Sequence, residues 1–220
     1  MWRLIKDGFI NDTWWSRLMV ASLYLLSTLI YLQTNRLTRN TDLAVVWKWP
    51  IDDRLPFLPL FVLPYCAWFV LVAAVFFWLI FDHSQNRRIY RHTAGVLLAM
   101  LLSALIFLVF PTHVPRPPVR GNDLVSRLLL LIYASDEPYN CFPSLHVAIA
   151  ALKGITLFRY GPAKIWFRAL ITILVVLIML STVLIRQHYT PDLAGGLALA
   201  WLCDRLARLI IPERLVQLHS

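Results

Sequence analysis

Six long apolar runs constrain the fold of this chain more than any other feature. They cover residues 16–33, 57–81, 93–110, 143–158, 165–185 and 191–211. About 20 mostly apolar residues are the length that crosses bilayer hydrocarbon as a helix. The backbone has no water partner there, so each run must satisfy its own hydrogen bonds as a helix. The expected fold is all-α: a polytopic membrane protein in which residues 1–220 form one six-transmembrane-helix bundle. The fourth run is the shortest and contains Lys153. Composition agrees, with 59% hydrophobic and only 15% charged residues and a mean hydropathy of +0.65. A soluble domain carries about 25% charged residues.

Prolines punctuate the runs. Pro143 and Pro191 are expected in first turns, where a missing N–H costs little. Pro50, Pro56 and Pro59 break the segment before the second run, and Pro111, Pro115, Pro117 and Pro118 stiffen the connection after the third. Pro64 lies inside the second run and is a candidate kink. Residues 34–56 form a long connection whose Trp47 and Trp49 suit the lipid–water boundary. A short interfacial helix guarding lateral access of a lipid is the second reading. Trp14 and Trp15 fit the same anchoring role at the other face. The opening stretch Met1–Asp7 lacks the early apolar core of a cleavable signal, so the first run is read as an uncleaved anchor.

The net charge of +9 is explained by topology rather than by nucleic acid, for which no aromatic-basic module or finger spacing is present. With the N-terminus inside, twelve Lys and Arg fall on inner segments (Arg3, Lys6, Arg17, Arg87, Arg88, Arg91, Arg159, Lys164, Arg168, Arg205, Arg208, Arg214). Eight fall on outer ones (Arg36, Arg39, Lys48, Arg54, Arg116, Arg120, Arg127, Arg186). Positive residues favour the cytoplasmic side. The expected location is therefore an inner (plasma) membrane of bacterial type, with both termini cytoplasmic. Cys66 and Cys203 lie inside apolar runs, and Cys141 stands apart. The spacing supports neither a disulfide framework nor a zinc site.

Two short stretches carry chemistry: Cys141-Phe142-Pro143-Ser144-Leu145-His146 and His188-Tyr189-Thr190-Pro191-Asp192. One crossing and its return separate them, so both histidines are expected at the same, outer membrane face. Asp192, four residues after His188, can fold back to one ring nitrogen. That would fix the tautomer and leave the other nitrogen free to attack. Ser144 and His146 open a helix whose unpaired N–H groups suit an anion, and His146 can protonate a leaving oxygen. Arg116 and Arg186 supply forked donors for phosphate oxygens. Lys153 lies two turns deeper on nearly the same face as His146. It could meet a lipid pyrophosphate, pair with a carboxylate, or sit in a polar bundle interior. Asp136 and Glu137 are read as solvated loop charges, with a lesser possibility that one aids a head-group acceptor. Gly195-Gly196 is read as a site of close helix packing.

These residues resemble the type 2 phosphatidic acid phosphatase superfamily, whose soluble relatives include vanadium haloperoxidases. Arg116-Pro117 is similar to the end of the first motif. Pro143-Ser144-Leu145-His146 is similar to the second, and Ser181, His188 and Asp192 to the third. The resemblance spans about residues 109–196. It implies His188 as the nucleophile of a phosphohistidine, Asp192 as its orienting partner and His146 as the general acid. Ser144, Arg116 and a third-motif Arg would hold the phosphate. Neither a cofactor nor a metal is implied. The partners are the bilayer and a lipid phosphate or diphosphate: phosphatidic acid, phosphatidylglycerol phosphate or a polyprenyl diphosphate. Three positions depart from the pattern. Val109 stands where the first motif has Lys, with His113 the nearest basic group. Thr182 stands where the third has Arg, and Arg186, four residues on, is expected to reach the phosphate from the same helix face. Leu145 replaces Gly, which resembles the inositol phosphorylceramide synthase branch and its head-group transfer between lipids. The expected activity is a lipid phosphatase. The alternatives are a head-group phosphotransferase and a non-enzymatic lipid transporter or membrane scaffold.

Overall fold

The computed structural model describes residues 14–38, 43–82 and 87–212. All six apolar runs form helices in it. They are α1 (Trp14–Thr38), α2 (Val62–Phe81), α3 (Arg87–Val109), α5 (Leu145–Tyr160), α6 (Ile165–Leu184) and α7 (Thr190–Ile210). The protein is all-α, with no strands among the described residues. Among the described residues four segments are long and apolar enough to cross a membrane: Arg17–Thr34, Pro59–Phe81, Arg88–Val109 and Ile165–Leu184. α5 has only 16 residues, and α7 carries Asp192, Asp204, Arg205 and Arg208. The expected roles of Trp14 and Trp15, and of Arg3, Lys6, Arg36, Arg39, Arg87 and Arg214, fall on side chains outside the described part.

One helix was not expected. α4 (Leu124–Ser135) lies in the connection after α3. Asp123 caps it, its carboxylate accepting from Val125 N at 3.0 Å and Ser126 N at 3.1 Å, which satisfies two otherwise orphaned donors. Leu129 and Ile132 of α4 pack with Val62 and Tyr65 of α2 and with Ile185. Pro143 also differs from expectation: it precedes the N-cap Ser144 and is not in the first turn. Pro64 stands in the first turn of α2. Between residues 43 and 58 the only helical piece is a 3₁₀ turn, Pro50–Asp53. Trp47 packs edge-on against Phe110 and Phe142, while Trp49 is exposed.

α5 is the central element. It packs against α2, α3, α6 and α7, and Val147, Ala148, Ala150, Leu152 and Lys153 are buried along it. The outward faces of the other helices stay apolar, with Phe69, Val70, Leu105, Ile173 and Trp201 all exposed. Such a surface suits lipid, since a soluble protein rarely exposes large contiguous apolar patches.

The two ends of the bundle differ. At one end Arg17 donates to backbone oxygens of Leu79, Ile80 and Asp82. Arg88 pairs with Asp82 at 3.2 Å, and Arg91 donates to Tyr160 Oη and Ile211 O. Arg159 grips both Asp204 oxygens at 2.8 and 3.1 Å. The opposite end gathers the N-termini of α5 and α7. Gly196 makes that approach possible: a Cβ there would lie 2.6 Å from Ser144 O. Ser144 N donates to Asp192 O at 3.0 Å, which ties the two N-termini directly together.

Candidate active site

Each motif is shaped by its helix start. Ser144 is the N-cap of α5, fully buried, its Oγ accepting from Val147 N at 3.3 Å. This is the ordinary capping use of serine. His146 follows in the first turn. At α7 the N-cap is Tyr189, and Asp192 reaches back to accept from its N–H at 2.9 Å. His188 stands just before that cap, as expected. Its backbone N–H and that of Gln187 both donate to Thr182 O, at 3.0 and 2.8 Å.

The two imidazoles meet. His188 Nε2 lies 3.4 Å from His146 Nδ1, with ring centroids 5.6 Å apart. On the far side of His188, Asp192 Oδ2 lies 3.4 Å from Nδ1, both side chains buried. That oxygen is aligned to the Tyr189 N–H, and His188 Nδ1 makes no well-aligned hydrogen bond. The contact is therefore carboxylate-to-ring proximity that a small rotation would convert to a hydrogen bond. Both histidines line a cavity of ≈ 10 Å³ shared with Asp136, Leu145 and Gln187. That volume suits about one water, so the rings must part to admit a phosphorus centre.

His146 is held on its other edge as well. Its Nε2 lies 2.7 Å from Tyr65 Oη on α2, and its backbone oxygen accepts from Trp68 Nε1 at 2.9 Å. Tyr65 Oη is 3.5 Å from Asp136 Oδ2, and Tyr31 Oη is 3.3 Å from Asp136 Oδ1. Asp136 Oδ2 is 4.0 Å from His146 Nε2. Asp136, read from sequence as a solvated loop charge, is instead a half-buried carboxylate facing the histidine pair.

The cations are placed differently from expectation. Arg116 is beside the site: its Nη2 donates to Gln187 Oε1, and its Nη1 to Tyr133 O at 2.9 Å. Burial pushes its pKa below the ordinary arginine value, and the charge of Asp136 opposes this, since desolvation disfavours the charged form. Arg186 does not reach the histidine cavity. α6 ends at Leu184, and Arg186 adopts a left-handed backbone, φ 54°. Its guanidinium donates to Asp52 O at 3.0 Å and Leu55 O at 2.7 Å. The rule that residues four apart share a face fails because the helix has already stopped. Arg186 and Arg116 instead line a neighbouring cavity of ≈ 400 Å³ with Phe57, Pro115, Pro117 and Tyr189. Val109 is 85% exposed. His113 lines neither cavity. Lys153 is fully buried, its Nζ 5.3 Å from the Tyr24 ring centroid and without a hydrogen-bond acceptor.

Among the described residues, one group has metal-ligand atoms close together: Cys141, His188 and Asp192, within 4.8 Å of one another. Burial pushes the Cys141 thiol well up, and Asp192 raises it further. Asp192 is already bonded to Tyr189 N–H at 2.9 Å and lies 3.4 Å from His188 Nδ1, so these side chains also fit a carboxylate set beside an imidazole.

Sequence reasoning missed four residues here. Tyr65 and Trp68 are anonymous within an apolar run. Gln187 is 2% exposed, with an unpaired Nε2. Asp52 is buried and accepts from Thr190 N at 2.9 Å, Thr190 Oγ1 at 2.8 Å and Trp49 N at 2.9 Å. Asp52 thus fastens the first outer connection to the start of α7. Only the pattern Trp49-Pro50-Ile51-Asp52, with an acid three residues after a helix start, hinted at it.

A family model described as the PAP2 superfamily matches residues 56–205. The match reaches well beyond residues 109–196, back to α2 and on into the last turns of α7. No curated protein matches the chain.

Proposed function

The chain belongs to the PAP2 superfamily, a family of phosphoryl-transfer enzymes, and from that premise we propose that it is an integral-membrane lipid phosphate or diphosphate phosphatase. The reaction runs through a phosphohistidine on His188. The observation that carries this reading is the 3.4 Å approach of His188 Nε2 to His146 Nδ1, with Asp192 behind His188. The lone pair of Nε2 forms the bond to phosphorus. The P–O bond to the lipid breaks, and the departing oxygen takes the proton from His146 Nδ1. Water then cleaves the phosphohistidine, with His146 accepting its proton. Ser144, at the start of α5, and Arg116, bonded to the cavity-lining Gln187, steady the phosphate once the rings part. Arg186 is left out of this set because its guanidinium is held by Asp52 O and Leu55 O. Asp192, near a helix N-terminus, favours the anion that orients His188.

In this reading α5 and α7 also cross the bilayer, giving six spans. The short, buried α5 is shielded by its neighbours, and Asp204 of α7 is paired with Arg159 and Arg208. Both termini lie in the cytoplasm with the arginine-rich end, and the histidines face outward, where substrate enters from the leaflet. The test is turnover of phosphatidic acid by purified protein in detergent. His188→Ala abolishes it and His146→Ala leaves a small residue; full activity in His188→Ala would refute the mechanism.

A second reading, head-group phosphotransfer, is favoured by Leu145, which lines the histidine cavity, and by the large cavity next to it, with room for an acceptor. Radiolabelled substrate separates the two. Label released as free phosphate supports hydrolysis, and label on a second lipid or alcohol supports transfer.

A further inference from the structure

Two carboxylates flank the histidine pair, and the geometry gives each to a different imidazole. Asp192 sits against His188. Asp136 sits across the cavity, and between it and His146 stands the Tyr65 hydroxyl, 2.7 Å from Nε2 and 3.5 Å from Asp136 Oδ2. Tyr65 is 1% exposed, so its hydroxyl has no water to fall back on. A buried tyrosine hydroxyl usually finds a partner. The partners here are an imidazole that faces the reaction centre with its other nitrogen and a carboxylate held on both oxygens by tyrosines.

Resting on the assignment of His146 as general acid, we propose that Asp136 and Tyr65 are positioning residues that grip His146 at Nε2, fix its ring and stabilise its protonated form, so that Nδ1 delivers the proton to the leaving group. In the loaded state His146 carries a proton on each nitrogen. Nε2–H donates to Tyr65 Oη, and the Tyr65 O–H donates to Asp136 Oδ2. The carboxylate stabilises the imidazolium through the hydroxyl and stays ionised throughout. The Nδ1 proton, facing His188 Nε2, moves to the departing oxygen as the P–O bond breaks. His146 is left neutral with Nε2–H still on Tyr65, ready to accept a proton from the attacking water. The fixed Nε2–Tyr65 contact also sets which nitrogen faces phosphorus. In its absence the ring could turn and present either.

Proton delivery belongs to the step that forms the phosphohistidine, whereas its hydrolysis is common to all substrates. The signature is therefore dependence on the leaving group in that first step, with turnover here read as single-turnover release of the alcohol or phenol. The probes are dodecyl phosphate, whose alkoxide must be protonated to leave, and an aryl phosphate of similar length whose nitrophenolate leaves unaided. General acid catalysis contributes about 10²–10⁴-fold. Tyr65→Phe and Asp136→Asn should each lower turnover of the alkyl ester by roughly 10–100-fold and that of the aryl ester by less than about 3-fold. His146→Ala should show the same selectivity more strongly, and His188→Ala should lose both substrates. Asp136→Asn keeps the hydrogen-bonding shape and guards against a Tyr65→Phe protein that fails to fold; the melting temperature of each variant is read alongside. Equal losses on both esters would mean a structural role and overturn the proposal. So would unchanged rates on both. Should His146→Ala discriminate between the esters while Tyr65→Phe and Asp136→Asn do not, the positioning role falls and His146 keeps its own. Should His146→Ala itself show no selectivity, the general-acid assignment falls, and the positioning role with it.

Discussion

Gly196→Ala tests whether the close approach of α7 to the start of α5 sets the spacing of the histidines. A Cβ at 196 would lie 2.6 Å from Ser144 O, a backbone atom, and 3.0 Å from Val147 Cβ. Relief requires the two helix starts to part by about 0.4–0.8 Å, because neither neighbour is a flexible side-chain end. The Ser144 N to Asp192 O hydrogen bond, 3.0 Å in length, would stretch past a useful distance, and His188 would move with Asp192. Overpacking of this kind costs about 1–3 kcal/mol. The better helix propensity of alanine returns about 1 kcal/mol, so the net loss of stability is small, about 0–2 kcal/mol. The loss of rate is larger, because a misplacement of about 1 Å can cost about 10²-fold. We expect roughly 10–100-fold lower turnover of phosphatidic acid in detergent micelles with a melting temperature within a few degrees of the parent. Gly95→Ala is the control. Its Cβ would meet Leu152 Cδ2 at 3.5 Å and Ala207 Cβ at 3.8 Å, ordinary contacts, so rate is kept and stability rises slightly. Equal turnover in the two variants would refute the claim that this contact sets the catalytic spacing.

Three further substitutions probe other parts of the site. Asp192→Asn keeps the cap on Tyr189 N but loses the negative charge beside His188; turnover should fall by about 10²–10⁴-fold with little change in melting temperature, and a mild kinetic effect would leave Asp192 as a cap alone. Asp52→Ala orphans the Trp49 and Thr190 N–H groups, at a cost of about 1–3 kcal/mol; a lower melting temperature and lower turnover are expected, and unchanged values of both would show that the outer connection does not support α7. Lys153→Met replaces a buried, unpaired amine with an apolar chain of similar length and should raise stability by about 1–2 kcal/mol without loss of turnover; lost turnover in a stable protein would instead give Lys153 a part in the reaction.

The apolar runs and the two histidine stretches were legible because their signals are local. A run of twenty apolar residues and a serine or aspartate at a helix start are read within one or two turns. α4 was also locally marked, by Asp123 ahead of Leu124-Val125-Ser126-Arg127-Leu128. Its 12 residues are too few to span, and the prolines before it read as loop. Tyr65 and Asp136 were not legible in this way. Tyr65 meets His146 across 81 positions, and Asp136 meets Tyr65 across 71. Nothing in an apolar run distinguishes a tyrosine that faces a buried imidazole from one that faces lipid. Arg186 failed for a different reason. The four-residue rule assumes a continuous helix, and Ile185 ends α6 before the rule applies.

The two motif departures are not gaps that the present backbone would simply refill. Val109, at the last residue of α3, is 85% exposed, so a lysine placed there would begin by pointing away from the bundle. Thr182 is sealed: its Oγ1 donates to Met179 O at 2.7 Å, and its backbone oxygen receives the N–H groups of both Gln187 and His188. That bifurcated contact fixes the turn carrying His188 and leaves no room for a long cation. Gln187 then stands at the cavity wall with a buried, unpaired Nε2, its Oε1 bonded to Arg116. On that wall the nitrogen donors are thus a neutral amide and, bonded to it, the Arg116 guanidinium. Asp136 lies on the same cavity. In the proposed reaction the charge of an incoming phosphate therefore falls on Arg116 and on the protonated form of His146 together, and Asp136 beside His146 favours that form.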